Sequence, residues 1–157
     1  LFTAREVRRM NDIEFVSELV LQQTYGTTNK KDLLEVAYAK FDEDLPNETG
    51  IEEEFDIIIN LIRTLVDEDN AMFIKTKTTF YSLFGAILRY YRNTRSKAFA
   101  NLDQLRTSIT ELLRRVREEG EASGEDKVRN YASAYIRAAS DKSRRAIRED
   151  ILFELLV

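Results

Sequence analysis

The feature that most constrains this chain is an apolar side chain at every third or fourth position, repeated from one segment to the next. The clearest example consists of Phe55, Ile58, Ile59, Ile62 and Leu65. Residues three and four apart share one face of an α-helix, so this spacing predicts an amphipathic helix whose apolar face is buried. Five Gly and one Pro in 157 residues leave few positions at which such helices would break.

Seven segments carry this periodicity. Their apolar faces span 13–20, 33–41, 55–65, 80–91, 102–116, 128–136 and 147–155. Capping-box pairs, which satisfy backbone donors at a helix start, occur at Asn11 with Glu14, Thr49 with Glu52, and Asn101 with Gln104. No run of alternating apolar and polar residues is long enough for a sheet. The prediction is an all-α fold: an irregular bundle of six or seven helices with no sheet.

A chain of this length is expected to form a single helical domain over 1–157. A sub-boundary is expected at 120–125, between Gly120 and Gly124, because this is the only linker-like stretch. The chain begins at Leu1 rather than Met, which suggests a fragment of a longer protein. No apolar run reaches 18 residues and no signal-peptide pattern is present, so we expect no membrane partner and a cytoplasmic location.

The residues needed for most catalytic sites are missing. Without Cys or His the chain has no thiol nucleophile, no Ser-His-Asp triad and no zinc finger. Its five glycines form neither a GxGxxG nor a Walker phosphate loop. A carboxylate cluster at Glu52, Glu53, Glu54 and Asp56 suits the start of a helix as well as it suits a metal. We therefore expect no catalytic residue, no metal and no cofactor, and retain a carboxylate-and-metal enzyme only as a third alternative.

Charge is distributed unevenly along the chain. The acidic segment, residues 32–69, contains thirteen acidic and two basic residues, whereas the basic segment, residues 71–100, contains six basic and no acidic ones. Cations neutralise phosphates and exposed rings stack on bases. The predicted DNA-binding residues are Lys75, Lys77, Arg89, Arg92, Arg95, Lys97, Tyr81 and Tyr90. The alternative is that the two segments neutralise each other within the fold.

Of the remaining rings in the basic segment, Phe80, Phe84 and Tyr91 lie on the apolar stripe and are expected in the core. Tyr81 and Tyr90 lie off the stripe and are expected to be the exposed rings. Arg89 and Arg92, three residues apart, are expected to point together away from the stripe.

Three stretches resemble GmrSD-type proteins, which carry a ParB/sulfiredoxin-like nuclease domain and act in defence against phage DNA. They are RRMNDIEFV at 8–16, FIKTKTTFYSLF at 73–84 and AASDKSRR at 138–145. The catalytic signature of the family, an Asp-Gly-Gln-Gln-Arg stretch, is absent here, since the only Gln pair, Gln22-Gln23, lies between Leu21 and Thr24. The resemblance therefore implies the helical portion that follows the catalytic core, and no catalytic residue is carried over.

Two functions remain open on these grounds. The first is a non-catalytic helical domain of a DNA-targeting, phage-defence-type nuclease, whose partners are the missing N-terminal catalytic domain and DNA. The second is a helical protein–protein interaction or assembly module with no nucleic-acid role, in which apolar faces such as the seam at 102–116 meet another subunit or the missing domain. Homo-oligomers are compatible with either.

Overall fold

The computed structural model describes residues 1–7, 11–29, 47–137 and 139–157. Its helices are α1 (Ala4–Val7), α2 (Asn11–Tyr25), α3 (Glu48–Leu65), α4 (Ala71–Ile74), α5 (Lys77–Thr94), α6 (Leu102–Glu118), α7 (Asp126–Ile136) and α8 (Lys142–Leu156), with a 3-10 turn at Gly120–Ala122. Six of these helices have eleven residues or more, and no strand occurs in the described ranges. The prediction of an all-α, irregular bundle is confirmed. The helix predicted over 33–41 lies outside the described residues.

The start of α5 is set by a side-chain hydrogen bond, whereas two of the predicted capping boxes make no such bond. α5 begins at Lys77 because the Thr76 hydroxyl accepts a hydrogen bond from the Thr79 backbone N–H at 3.3 Å. The two later capping-box predictions are wrong in detail. Asn101 precedes α6 but its side chain makes no capping bond, and Thr49 already lies inside α3.

The fold is built around α5, which packs against α2, α3, α4 and α8. Phe84 of α5 is fully buried, and its ring centroid lies 5.3 Å from that of Phe55 on α3. Burying one such side chain contributes about 1.5–3 kcal/mol. A helix surrounded in this way is buried on more than the single face that an amphipathic pattern predicts.

The apolar seam of α6 is used inside the fold rather than at a subunit interface. Leu105, Ile109 and Leu112 are buried in the same cluster as the core of α5, so these three side chains are not available for contact with another subunit or domain. The stretch 120–125, expected as a sub-boundary, connects α6 to α7. Buried side chains from both of those helices belong to that one cluster.

Arg148 of α8 is a buried cation that the sequence did not reveal. It is 1% exposed, and its guanidinium donates to Ser82 Oγ at 3.0 Å, to the Ala139 carbonyl at 2.7 Å and to the Ala134 carbonyl. The Ala134 carbonyl lies in the last turn of α7, where helix carbonyls lack intrahelical partners. Arg148 therefore satisfies the C-terminal end of α7 with its own donors. No helix in the described ranges is long and apolar enough to cross a membrane.

Candidate nucleic-acid interface and an adjacent polar cleft

The six cations of the basic segment lie in two groups along α5 instead of forming one patch. Lys75 and Lys77 lie at its N-terminal end, and Arg89, Arg92, Arg95 and Lys97 lie in its last two turns or just beyond its C-terminal end. At 1.5 Å per residue, the twelve residues from Lys77 to Arg89 separate the two groups by about 18 Å. Any polyanion that contacts both groups must therefore follow the length of this helix.

Arg92 is held by the acidic segment. Its guanidinium donates to Glu54 through Nε at 2.9 Å and Nη2 at 2.6 Å, and Nη2 also donates to the Gln23 carbonyl at 2.9 Å. Burial raises the pKa of Glu54, but hydrogen bonds from Arg92 and Gln23 outweigh it, and the pKa is lowered overall. The alternative that the acidic and basic segments neutralise each other is correct for this pair.

Arg89 is held by α8 rather than by the acidic segment. Its Nη1 lies 2.7 Å from Asp150 Oδ1, and its guanidinium lies 3.9 Å from the ring centroid of Phe153. Both members of the ion pair remain substantially exposed, and such pairs contribute little to stability. Arg89 and Arg92 are both on the surface, as expected, but each already has a carboxylate partner.

Three of the predicted cations remain without an ion pair to any residue the structure describes: Lys75, Arg95 and Lys97. All three are exposed. Arg95 ends α5 in the left-handed conformation, with φ of 57°, and its guanidinium lies 5.9 Å from the Tyr91 ring. Lys77 is half-buried, with Nζ 4.9 Å from the centroid of the Phe2 ring.

The expectation that Tyr81 and Tyr90 present exposed rings is wrong. Tyr81 is 2% exposed and its ring lies 3.9 Å from the Arg145 guanidinium. Tyr90 is 8% exposed, its hydroxyl donates to the Ala98 carbonyl at 3.0 Å, and its ring packs on Phe99. Arg145 of α8 covers Tyr81 and the segment that follows α5 covers Tyr90, so neither ring can stack on a base. Of the rings expected in the core, Phe84 is fully buried, whereas Phe80 and Tyr91 are half-buried.

A polar cleft of about 250 Å³ lies where α2, α5 and α8 meet. Arg89 and Arg92 line it together with Gln22 and Glu149. The Glu149 carboxylate accepts hydrogen bonds from Gln22 Nε2 at 3.1 Å and from the Thr27 hydroxyl. Burial raises the pKa of Glu149, and these two hydrogen bonds only partly offset it. The cleft therefore combines two surface cations with a carboxyl group that resists ionisation.

Gly85 makes the approach of these helices possible. A Cβ atom added at this position would overlap the side chains of both Gln22 and Glu149. Sequence reasoning missed the cleft, although a Gly in the middle of a helical apolar stripe is a signal of close approach.

The three stretches that carry the family resemblance meet in the core. Phe15 and Phe80, from the first and second stretches, pack edge to face with centroids 6.0 Å apart. Arg145, from the third stretch, stacks on Tyr81 of the second and pairs with Glu18 of α2 at 2.7 Å. Positions 8–10 and 138 of these stretches lie outside the described residues. The described residues of these stretches thus hold helices together and form no reactive cluster.

Within those same ranges, no group of three or more acidic side chains is placed to hold a metal ion. Comparisons with protein-family models, with curated proteins and with solved structures each find no match for this chain.

Proposed function

We propose that this chain is a non-catalytic helical domain of a DNA-targeting, phage-defence-type nuclease, where it supports the catalytic core and contributes cations to DNA binding. The observation that carries the proposal is the contact between the three resembling stretches. They are far apart in sequence, yet Arg145, Tyr81 and Phe80 bring them together in one buried region. The contact supports the proposal because the three resembling stretches belong to one structural unit.

Support of a second domain is favoured by an apolar face on α2. Ile13 and Val16, three residues apart, are 55% and 46% exposed, and both belong to the first resembling stretch. Residues three apart lie on the same side of a helix. Exposed apolar side chains that are adjacent mark an interaction surface more often than single ones do. This face is the proposed contact with the catalytic core.

The DNA-binding part of the proposal rests on Arg95 and Lys97. They lie next to each other at the end of α5, exposed and without an ion pair among the described residues. Arg89 and Arg92 would have to give up a carboxylate partner before they could bind a phosphate. We therefore expect each of them to contribute less to the DNA-binding free energy than Arg95 or Lys97. Lys75 lies at the far end of the helix and would contact a separate phosphate.

A salt titration of duplex binding tests the DNA-binding part. The slope of log affinity against log salt reports the number of phosphate contacts, at about 0.9 per contact. The double variant Arg95→Glu with Lys97→Glu is expected to reduce that slope by about 2 and to weaken binding at every sequence. The matched control is Arg63→Glu with Lys142→Glu, which changes net charge equally at exposed positions outside the basic segment.

An equal loss of affinity in both double variants would mean that only the net charge of the protein matters, which would contradict a specific role for the end of α5. Absence of binding at low salt would remove the DNA-binding part and leave the supporting role. That role is tested by the sequence encoded upstream of Leu1 in the parent gene, where we expect an Asp-Gly-Gln-Gln-Arg stretch. Its absence there would contradict the family assignment.

A further inference from the structure

The polar cleft between α2, α5 and α8 contains a carboxylate that has no counter-ion. Glu149 lines the cleft and is half-buried, yet no basic side chain of the described residues lies within ion-pair distance of it. By contrast, the buried carboxylate of Glu18 is paired with Arg145 at 2.7 Å. Carboxylates that are removed from water are usually paired with a cation. Glu149 is therefore placed to accept a cation from outside the chain.

One of the two Glu149 oxygens remains free to do so. Oε2 accepts the hydrogen bonds from Gln22 Nε2 and from the Thr27 hydroxyl, which fix the position of the carboxylate. Oε1 accepts no hydrogen bond in the described part of the chain, and it is not among the buried oxygens without a partner, so it is accessible to solvent. Burial raises the pKa of Glu149, and a cation bound at Oε1 would offset that effect.

The same cleft contains guanidinium donors that the chain does not use. Arg89 and Arg92 both line it. Glu54 and the Gln23 carbonyl hold Arg92 through Nε and Nη2, and Nη1 makes no hydrogen bond to any residue the structure describes. Arg89 donates to Asp150 through Nη1 alone, which leaves Nε and Nη2. Two cations therefore have donors available for an anionic group that enters the cleft.

We propose that the polar cleft binds a small amino acid, whose ammonium group bonds Glu149 and whose carboxylate bonds Arg89 and Arg92. Hydrogen bonds between charged groups of this kind are the strong ones. A ligand with only a positive charge would approach two guanidinium groups, and a ligand with only a negative charge would approach Glu149. The cleft therefore favours a molecule that carries both charges. This site is independent of DNA binding and of the family assignment.

Matched probes separate the two charges. L-alanine and β-alanine are isomers that differ only in the separation of ammonium and carboxylate. Propionate lacks the ammonium of both, and the corresponding amides, L-alaninamide and β-alaninamide, lack the carboxylate. Binding at neutral pH is followed by NMR titration of the intact protein without DNA. We expect one of the two amino acids to bind at least about tenfold more tightly than propionate and than its own amide, the factor that one charge-assisted hydrogen bond supplies.

Two variants assign the effect to residues. Glu149→Gln should remove the preference for the amino acid over propionate, because the amide has no charge to attract the ammonium. Arg89→Gln should weaken the amino acid and propionate and leave the amides unchanged. The controls are Glu154→Gln and Arg114→Gln, which change net charge equally at residues that do not line the cleft. Both controls should leave every affinity as it is.

The backbone signals that move should belong to α2, α5 and α8. The proposal is overturned if neither amino acid shifts signals of these helices at tens of millimolar concentration. It is also overturned if propionate or the amide binds to the unaltered protein as tightly as the better amino acid, or if the controls lose as much affinity as the cleft variants. The probe comparison uses the native sequence, so it decides the question even if a variant fails to fold. Since no DNA is present, a negative result leaves the proposed function untouched.

Discussion

Arg145 of α8 and Glu18 of α2 form an ion pair inside the protein, with Nη2 and Oε2 2.7 Å apart and each side chain 7% exposed. Arg145 also donates to the Thr28 carbonyl at 3.2 Å and stacks on the Tyr81 ring. The guanidinium therefore connects the final helix to α2, to the segment after it and to α5. Charged side chains this deeply buried are stable only when their hydrogen-bonding groups are satisfied in this way.

Loss of one member of this pair should be strongly destabilising. Glu18→Gln leaves the Arg145 charge buried without its counter-ion, and we expect a decrease of about 3–5 kcal/mol in the free energy of unfolding. Urea unfolding followed by circular dichroism measures it. Glu111→Gln, which breaks an exposed ion pair with Arg114, is the control and should leave the midpoint nearly unchanged. Equal midpoints for the two variants would contradict the buried pair.

Gly85→Ala should destabilise the protein although Ala is the better helix former. The propensity gain is about 1 kcal/mol, but the new Cβ would displace the ends of Gln22 and Glu149 and break the hydrogen bond between them in a partly buried place, and overpacking of this kind costs about 1–3 kcal/mol. Gly124→Ala is the matched control because nothing lies within 4 Å of its added Cβ. Thermal melts of both variants check this. A midpoint for Gly85→Ala at or above that of the control would show that α2, α5 and α8 are not closely packed there.

Glu149 should make the protein less stable as pH rises. Its pKa is raised in the folded state by burial, so its contribution to stability is complete below the pKa of the unfolded chain and is lost as pH rises through the folded value. In the Glu149→Gln variant the side-chain amide stays neutral at every pH, and its oxygen could still accept from Gln22 and Thr27. We therefore expect the stability of Glu149→Gln, relative to the unaltered protein, to increase from pH 4 towards neutrality.

Urea unfolding at several pH values measures this difference. The charged groups that face Glu149, Asp150 and Arg89, are present in both proteins, so their titration cancels in the comparison. A difference that stays constant with pH would mean that Glu149 ionises as readily in the folded protein as in the unfolded chain.

Arg148 should not be replaceable by Lys. Its planar guanidinium serves Ser82 and the carbonyls of Ala134 and Ala139 at once, whereas an ammonium group on a shorter stem cannot match that geometry. We expect Arg148→Lys to lose about 1–3 kcal/mol, the cost of leaving a buried polar group unsatisfied. Amide hydrogen exchange should increase first at the C-terminal end of α7. Protection there equal to that of the unaltered protein would contradict the capping role of Arg148.

The helical segments could be predicted because the forces that set them are local. The stripes at 55–65 and 102–116 place apolar side chains on one face whatever lies opposite, and α3 and α6 form where these patterns predict them. The polar Asp67 to Asn70 stretch ends α3 through short-range bonds, including Asn70 Nδ2 to the Leu65 carbonyl at 2.9 Å. Such interactions span only a few residues, so they can be predicted from the sequence.

The candidate site was less predictable because it depends on which helices become neighbours. The pattern within α5 identified Phe84 as core but also assigned Tyr81 and Tyr90 to the surface, and it could not show that α8 and the segment after α5 cover those rings. Arg89 and Arg92 were correctly expected on the surface, yet their partners come from α8 and α3. The sequence does not show whether a basic side chain will form an ion pair with a carboxylate from a distant part of the chain.

The sequence by itself determined that this chain is helical, because backbone hydrogen bonds and the 3.6-residue repeat act over one or two turns. Tertiary structure alone decided which charged side chains are buried and hydrogen-bonded inside the protein. Arg145 and Arg148 look like solvent-facing residues in a polar helix, but in the core they donate to Glu18 and to Ser82, which lie 127 and 66 residues away in the sequence. Electrostatic and hydrogen-bond partners are chosen by three-dimensional proximity, which no local pattern encodes.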